Sequence, residues 1–445
     1  MSRLFGTDGV RGVANRELTP ELAFQLGRVA AFLLTNGKGK ARVVVGRDTR
    51  ISGEMLQAAL TAGMLSVGAD VYLLGVMPTP AIAYLTRELT ADAGVVISAS
   101  HNPVEDNGIK FFCGRGFKLP DEVEDRIEAL LPEQDQLPRP TGGDVGRVHL
   151  VEDAPERYLD YLAGLFPGGF AGMRIVIDCA AGAASFISPE IFHRLGAEVI
   201  PIFNKPNGVN INANCGSTHP QALQEAVVRE GAQLGLAHDG DADRLLAVDE
   251  RGQLVDGDQI MCICALQLAA EGKLAQQTLV ATVMSNLGLD LALTEKGIKV
   301  VRTQVGDRYV LEEMQRLGAN LGGEQSGHII FLDYNTTGDG VITALELASI
   351  LKKSGRPLSE LAAVMPRLPQ VQYNIPASRK AEFATNVRVQ EAIKSAQASF
   401  TGLGRVVVRP SGTEPKVRVM VEGEKEAEVE AIAQELAAVI AEELG

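Results

Sequence analysis

The chain lacks the features that place a protein in or across a membrane. No apolar run approaches the roughly 20 residues that a transmembrane helix needs. The first residues, Met1-Ser2-Arg3-Leu4, lead directly into a glycine-rich motif, without the apolar centre of a signal peptide. These absences predict a cytoplasmic protein that has no membrane partner.

Positive charge is also in deficit. Lys and Arg number 42 against 56 Asp and Glu, which gives a formal charge of −14. A broad basic surface is the electrostatic mark of nucleic-acid binding, so the composition argues against a nucleic-acid partner.

Cysteine is scarce, odd in number and without paired metal-binding motifs, which predicts reduced structural thiols. The five are Cys113, Cys179, Cys215, Cys262 and Cys264.

The 445 residues are enough for about three domains, with ample core. Apolar strands alternate with amphipathic helices through most of the chain, a pattern typical of α/β domains. We expect three such domains, at residues 1–151, 152–256 and 257–368. The last segment, 369–445, combines three strands with one long helix and predicts a smaller α+β domain.

A serine follows a strand that is apolar on both faces. The strand residues Val95-Val96-Ile97 lead into Ser98-Ala99-Ser100-His101, and Asn102-Pro103 then turns the chain. Ser100 and His101 therefore lie at the carboxyl end of a strand, where open α/β sheets bind ligands. The alternative is a serine that bonds only its local backbone. Ser98, two residues before Ser100, is expected to matter less and through packing alone.

Three aspartates alternate along the next loop. Asp239, Asp241 and Asp243 lie between two apolar stretches, 234–237 and 245–248, that are typical of strands. Crowded carboxylates are unfavourable without a cation, and their hard oxygens suit Mg²⁺ or Ca²⁺. An EF-hand is excluded because Arg244 occupies the sixth position, where that loop needs Gly. A solvated acidic turn remains the alternative.

Two further loops carry polar groups, suited to hydroxyls in the first and to a phosphate in the second. The first, Gly322-Gly323-Glu324-Gln325-Ser326-Gly327-His328, allows close backbone approach and offers polar side chains that can bind hydroxyls. Its alternative is an ordinary hairpin connection in which His328 is half-buried. The second loop follows a strand near the C-terminus, and its charge and hydroxyls suit a phosphate, although a charged hairpin tip is the alternative. Its residues are Arg409, Ser411, Gly412 and Thr413.

These four loops, in this order and spacing, resemble the loops of the α-D-phosphohexomutases over the whole chain. The resemblance implies three similar α/β domains with mixed sheets, plus a smaller C-terminal α+β domain, around a central cleft. It implies that Ser100 carries a phosphoryl group. It also implies that Mg²⁺ binds an oxygen on that serine together with Asp239, Asp241 and Asp243.

The same resemblance implies a role for each remaining candidate. Arg11 and Lys110 would flank the phosphoserine, although either could be a surface cation, and Arg244 adds positive charge beside the metal. His101 and His328 are both candidates for proton transfer, and the base is left unassigned between them. The sugar hydroxyls and the unreactive phosphate would be bound by Glu324, Ser326, Arg409, Ser411, Gly412 and Thr413. Some relatives place a further histidine where this chain has Gly306-Asp307-Arg308.

Three details point to the members of this family that act on an amino sugar. They are the opening residues 5–12, the Ser98-Ala99-Ser100 sequence and Gln325. The expected substrate is a hexosamine phosphate, with glucosamine 1,6-bisphosphate or another phosphoryl donor as activator. Two alternatives remain: an enzyme that acts on glucose or mannose phosphate, and a non-catalytic protein that binds a sugar phosphate. A homodimer is also possible from the sequence. A serine hydrolase is disfavoured because Ser98 and Asn102 occupy the two glycine positions of a nucleophile elbow.

Overall fold

The first unit is built on a mixed sheet of six strands, in the order β1-β5-β4-β2-β3-β6. A computed structural model describes residues 3–6, 8–35, 40–411 and 415–445. The strands are β1 (Val10–Val13), β2 (Arg42–Arg47), β3 (Asp70–Val76), β4 (Ala93–Ile97), β5 (Asp106–Cys113) and β6 (Val148–Leu150). The helices are α1 (Pro20–Leu34), α2 (Ser52–Leu65), α3 (Thr79–Glu88) and α4 (Asp121–Leu130). Strand β4 is buried along its whole length, as a parallel neighbour of β2 covered on both faces should be.

The second and third units repeat this plan with five and four strands, in the orders β11-β10-β9-β7-β8 and β13-β12-β14-β15. The second contains α5 (Ala154–Leu165), β7 (Arg174–Asp178), α6 (Ala184–Arg194), β8 (Glu198–Ile202), α7 (Gln221–Glu230), β9 (Leu234–His238), β10 (Leu245–Val248) and β11 (Leu254–Val255). The third contains α8 (Gly257–Ala270), β12 (Thr278–Thr282), α9 (Leu287–Thr294), β13 (Lys299–Thr303), α10 (Asp307–Leu317), β14 (Leu321–Gly323), β15 (Ile329–Phe331), α11 (Gly340–Ser354) and α12 (Leu358–Ala362).

The fourth unit is smaller and has its own core. Its sheet is antiparallel, in the order β16-β18-β17. Alternate residues Val417, Val419 and Val421 of the central strand are buried against the last helix, as period-two geometry requires. Its elements are β16 (Gln370–Pro376), α13 (Val387–Ala398), β17 (Gly404–Pro410), β18 (Lys416–Gly423) and α14 (Glu426–Leu444). The predicted architecture of three α/β domains and one α+β domain is confirmed.

One hydrophobic core runs through the first three units. It joins residues of β2 and α3 to α5 and α6 and then to α8 and α11.

The five cysteines are free, as expected. Among the described residues, no helix combines the length and the apolar character needed to cross a bilayer.

The four loops singled out in the sequence occupy equivalent places in the fold. Each one connects two antiparallel neighbours: β4 to β5, β9 to β10, β14 to β15 and β17 to β18. The connecting residues are 98–105, 239–244, 324–328 and 411–415. A hairpin end carries its loop beyond the sheet, where the loop can reach a shared cleft.

We expect Tyr158→Phe to weaken the joint between the second and third units. The buried Tyr158 hydroxyl donates to Asp339 Oδ2 at 2.5 Å, and Asp339 Oδ1 caps α11 through two backbone N–H groups at 3.0 Å. Loss of this bond should cost about 1–2 kcal/mol and lower the thermal midpoint. Tyr373→Phe is the control, because Tyr373 bonds Glu430 within the fourth unit. An equal midpoint for both variants would contradict this account.

Candidate active site

The serine loop is held in an unusual backbone conformation. Ser100 has φ of +52°, in the left-handed region that residues with a Cβ rarely adopt, and its side chain is buried. Its N–H donates to Ser98 Oγ at 3.0 Å, and Ser98 Oγ in turn donates to Asp48 Oδ2 at 2.6 Å. The expectation that Ser98 acts through packing alone is therefore wrong, because its hydroxyl links Ser100 to a buried carboxylate.

The serine and aspartate loops meet directly. Ser100 Oγ donates to Asp239 Oδ2 at 2.5 Å, and Asn212 Nδ2 donates to the Ser100 carbonyl at 2.8 Å. Gly240 permits this approach, because a Cβ at that position would lie 2.5 Å from the Ser100 carbonyl oxygen. The serine of the first unit thus lies against the acidic turn of the second.

The three aspartates form a buried cluster that could hold a metal ion. One oxygen from each of Asp239, Asp241 and Asp243 lies within 4.8 Å of the others. Burial, Asp243 and Asp241 raise the pKa of Asp239 well above its usual range, as crowded carboxylates without a cation should. Asp241 Oδ1 and Asp243 Oδ1 are buried and have no hydrogen-bond partner. A hard divalent cation fits this donor set.

Lys110 joins the aspartate loop to the opening motif of the chain. Its ammonium is 2.9 Å from both Asp241 Oδ2 and Asp8 Oδ2, and it is buried. Burial opposes the charge on Lys110, but Asp241 and Asp8 outweigh it and raise the pKa. Thr79 Oγ1 also donates to Asp241 Oδ2, at 2.7 Å. The occupied Oδ2 leaves Asp241 Oδ1 as the atom available to an ion.

Arg11 extends this charge network toward the cleft. Its guanidinium pairs with Asp8 and also donates to Asn102 Oδ1 at 3.3 Å. Lys118 pairs with Asp8 at 2.5 Å and also with Asp307 of the third unit. Sequence reasoning missed Asp8, Lys118 and the pairing role of Asp307. Only Asp8 carried a local signal, because it lies three residues before Arg11 in the opening glycine motif.

The two candidate histidines differ in electrostatic environment. His101 Nδ1 is 3.4 Å from Ser100 Oγ, and burial together with Arg244 and Arg11 lowers its pKa to about 4. His328 Nδ1 lies 3.5 Å from Asp243 Oδ2. Burial lowers the pKa of His328, but Asp243 and Asp307 together outweigh burial, so the net direction is upward. The Gly338 N–H donates to His328 Nε2 at 3.1 Å, which places the proton of the neutral ring on Nδ1.

A cleft of about 590 Å³ lies over the serine and receives residues from all four units. Its lining includes Arg11, His101, Asp243, Arg244, Glu324, His328, Arg409 and Ser411. Ser100, Asp239 and Asp241 lie beneath this lining and are buried. Burial raises the pKa of Glu324, whose Oε1 accepts the Gly306 N–H at 3.1 Å.

Of the three remaining substrate-binding predictions, only Ser326 falls among the described residues. Ser326 is exposed and is absent from the described residues that line the cleft. Gly412 and Thr413 lie outside the described residues. Arg418 does line the cleft and was missed. It lies opposite Arg409 in the register of β17 and β18, a relation that the hairpin spacing could have revealed.

The chain belongs to the phosphoglucomutase/phosphomannomutase family. The α/β/α domains I, II and III of that family match residues 2–138, 156–252 and 256–368, and its C-terminal domain matches residues 373–439. This match confirms the prediction of a phosphohexomutase enzyme.

Three individual proteins are similar to the chain over nearly its whole length. A protein of Desulforamulus reducens named phosphoglucosamine mutase is 59% identical over 441 residues, which cover 99% of each chain. A phosphoglucomutase/phosphomannomutase family protein of Burkholderia thailandensis has 25% identity and a TM-score of 0.83, over 100% of this chain and 98% of the other. The N-acetylphosphoglucosamine mutase of Aspergillus fumigatus, solved with GlcNAc-6P and magnesium, is 18% identical with a TM-score of 0.71, over 99% of this chain and 95% of the other.

We expect Gly240→Ala to separate the serine and aspartate loops. The new Cβ would lie 2.5 Å from the Ser100 carbonyl oxygen and 2.9 Å from Asn212 Nδ2. A displacement near 1 Å at the reacting group lowers turnover on the order of 100-fold. Gly164→Ala in α5 is the matched control, because its Cβ meets nothing within 4 Å. Steady-state turnover of both variants tests the contact, and an unchanged rate for Gly240→Ala would refute it.

Proposed function

We propose that this chain interconverts glucosamine 6-phosphate and glucosamine 1-phosphate, with Ser100 as the phosphoryl carrier. The observation that carries the proposal is the buried Ser100 hydroxyl, which lies 2.5 Å from Asp239 and directly precedes His101, a residue of the cleft that all four units line. The 59% identity with a phosphoglucosamine mutase over nearly the whole chain favours the amino sugar as substrate.

The reaction consists of two phosphoryl transfers. Phosphoserine 100 first donates its phosphoryl group to the free hydroxyl of the sugar monophosphate. The bond between phosphorus and Ser100 Oγ breaks, a bond to the sugar oxygen forms, and the proton of that sugar hydroxyl passes through a base in the site to Ser100 Oγ. The resulting 1,6-bisphosphate turns end over end. Its other phosphoryl group then returns to Ser100, and the proton of the Ser100 hydroxyl passes to the sugar oxygen that is released.

The residues around Ser100 would supply charge and orientation, which dominate phosphoryl transfer. Lys110, Arg11 and Arg244 offset the charge of the phosphoryl group. Mg²⁺ held by Asp239, Asp241, Asp243 and an oxygen on Ser100 would stabilise the developing negative charge. His101 and His328 both remain candidates for the base. His101 is the closer to Ser100 Oγ, at 3.4 Å.

The far side of the cleft would bind the rest of the substrate. Arg409 and Ser411 suit the phosphate that does not react, since a guanidinium binds phosphate through two parallel hydrogen bonds. The half-buried carboxylate of Glu324 suits sugar hydroxyls. We assign Ser326, Gly412 and Thr413 to the same task from the sequence pattern alone. These contacts must serve both orientations of the bisphosphate, so their loss should affect both reaction directions.

Ser100→Ala should abolish the covalent step. Without the hydroxyl, turnover should fall by several orders of magnitude, on the order of what removal of a nucleophile costs other enzymes. The intact mass should no longer rise by one phosphoryl group after incubation with glucosamine 1,6-bisphosphate. Circular dichroism should match that of the unchanged chain. A variant that keeps near-normal turnover would rule out Ser100 as the carrier.

Asp239→Asn should weaken Mg²⁺ binding. The change keeps the side-chain shape but removes one charge from the buried cluster, so affinity should fall about tenfold or more by titration calorimetry. Asp249→Asn is the control, because Asp249 is also buried but accepts the N–H groups of Arg251 and Gln253 in a turn. Equal Mg²⁺ affinity in the two variants, or full turnover in excess chelator, would contradict a catalytic Mg²⁺ site at the three aspartates.

An isomerisation assay tests the proposed function itself. With the bisphosphate supplied, kcat/KM for glucosamine 6-phosphate should exceed that for glucose and mannose 6-phosphates by about fivefold or more, because one hydrogen bond is worth about 1 kcal/mol. A preference for mannose or glucose phosphate would reassign the substrate. Tight binding of these sugars without a phosphorylated serine would instead indicate a sugar-phosphate binding protein.

A further inference from the structure

We propose that Arg50 is a positioning residue that holds the Ser100 loop in its phosphoryl-accepting conformation. The inference rests on the proposed role of Ser100 as carrier. Arg50 lies just before α2, outside the described lining of the cleft, and its side chain is completely buried. A buried guanidinium needs acceptors for its donors. Four of its five acceptors are backbone carbonyls in the serine loop or directly after it.

The Arg50 guanidinium spans the loop from end to end. Its Nη2 donates to the carbonyl oxygens of Ser100 at 3.0 Å and Asn102 at 2.8 Å. Its Nη1 donates to the carbonyl of Asp106 at 3.0 Å and to that of Pro103. Four backbone carbonyls over seven residues are thereby fixed to one rigid plane. A lysine, with its donors on a single nitrogen, cannot reproduce this geometry.

A closed circuit of hydrogen bonds fixes both backbone groups of Ser100. Asp48 Oδ2 accepts Arg50 Nε at 2.9 Å and Ser98 Oγ at 2.6 Å. Ser98 Oγ accepts the Ser100 N–H at 3.0 Å, while Arg50 binds the Ser100 carbonyl. A serine at φ of +52° persists only where its surroundings over-determine the backbone. This circuit supplies that constraint and aims Ser100 Oγ at Asp239.

A second side chain, that of Asn212, holds the serine loop against the second unit independently of Arg50. Asn212 of the second unit donates to the same Ser100 and Asn102 carbonyls, at 2.8 and 3.0 Å. The loop therefore keeps a tie to the second unit when Arg50 is changed. What Arg50 alone supplies is the link from these carbonyls to Asp48 and to residues 103 and 106.

The test compares Arg50→Lys with Arg28→Lys. Arg28 is the matched control, because it is a nearly fully buried arginine of the first unit that bonds Gln134 and the Leu137 carbonyl, away from the cleft. Dephosphorylated chains are mixed with glucosamine 1,6-bisphosphate, and phosphorylation of Ser100 is followed by intact mass. We expect Arg50→Lys to slow phosphorylation and kcat on the order of 100-fold. The KM for glucosamine 6-phosphate should stay within about twofold, and Arg28→Lys should react at the unchanged rate.

Phosphorylation of Arg50→Lys at the unchanged rate would overturn the proposal, as would equal slowing in Arg28→Lys. If Arg50→Lys does not fold, the Ser98→Ala variant tests the proposal instead. This smaller change removes the hydroxyl that links the Ser100 N–H to Asp48. Slower phosphorylation, by about tenfold, supports the positioning role, and an unchanged rate overturns it. Failure of the unchanged chain to take up a phosphoryl group would refute the carrier role of Ser100 itself, which is a distinct result.

Discussion

The site depends on one alternating row of buried and half-buried charges. Asp307 of the third unit, Lys118 and Asp8 of the first unit, Lys110 and finally Asp241 of the second unit follow one another in direct contact. Each buried carboxylate is tolerable only beside a cation, and each buried ammonium only beside a carboxylate. The row therefore fixes the three α/β units relative to one another at the point where the reaction would occur.

The same contacts leave negative charge on the aspartate loop without a partner. Lys110 engages one oxygen of Asp241, and His328 lies beside one oxygen of Asp243. The second oxygens of both aspartates remain buried and without a hydrogen-bond partner, next to Asp239. The protein cations thus stop short of neutralising the aspartate loop. A divalent ion would complete the balance and would bring positive charge directly to the Ser100 hydroxyl.

Much of the site was visible in local sequence. The four loops were identified because each combines turn residues with reactive groups after an apolar strand, and both properties lie within a dozen residues. Asp48, Arg50 and Lys118 gave no such signal. Arg50 acts on carbonyls some 50 residues away and Lys118 on a carboxylate 189 residues away, so their roles exist only once the chain has folded. Ser98 was misjudged for the same reason, because its partner Asp48 is 50 positions distant.

From the amino-acid sequence we could predict the α/β class, the order of strands and helices, and the chemistry that each loop can offer. These follow from hydrophobic period, turn residues and side-chain functional groups, which are properties of short segments. Packing in the folded chain then fixed which groups share the site and in what state of charge. It buried Ser100 against Asp239 and set the pKa of His101 far below that of His328. Burial and the distances between charges control these quantities, and both are set by packing between units that are remote in the chain.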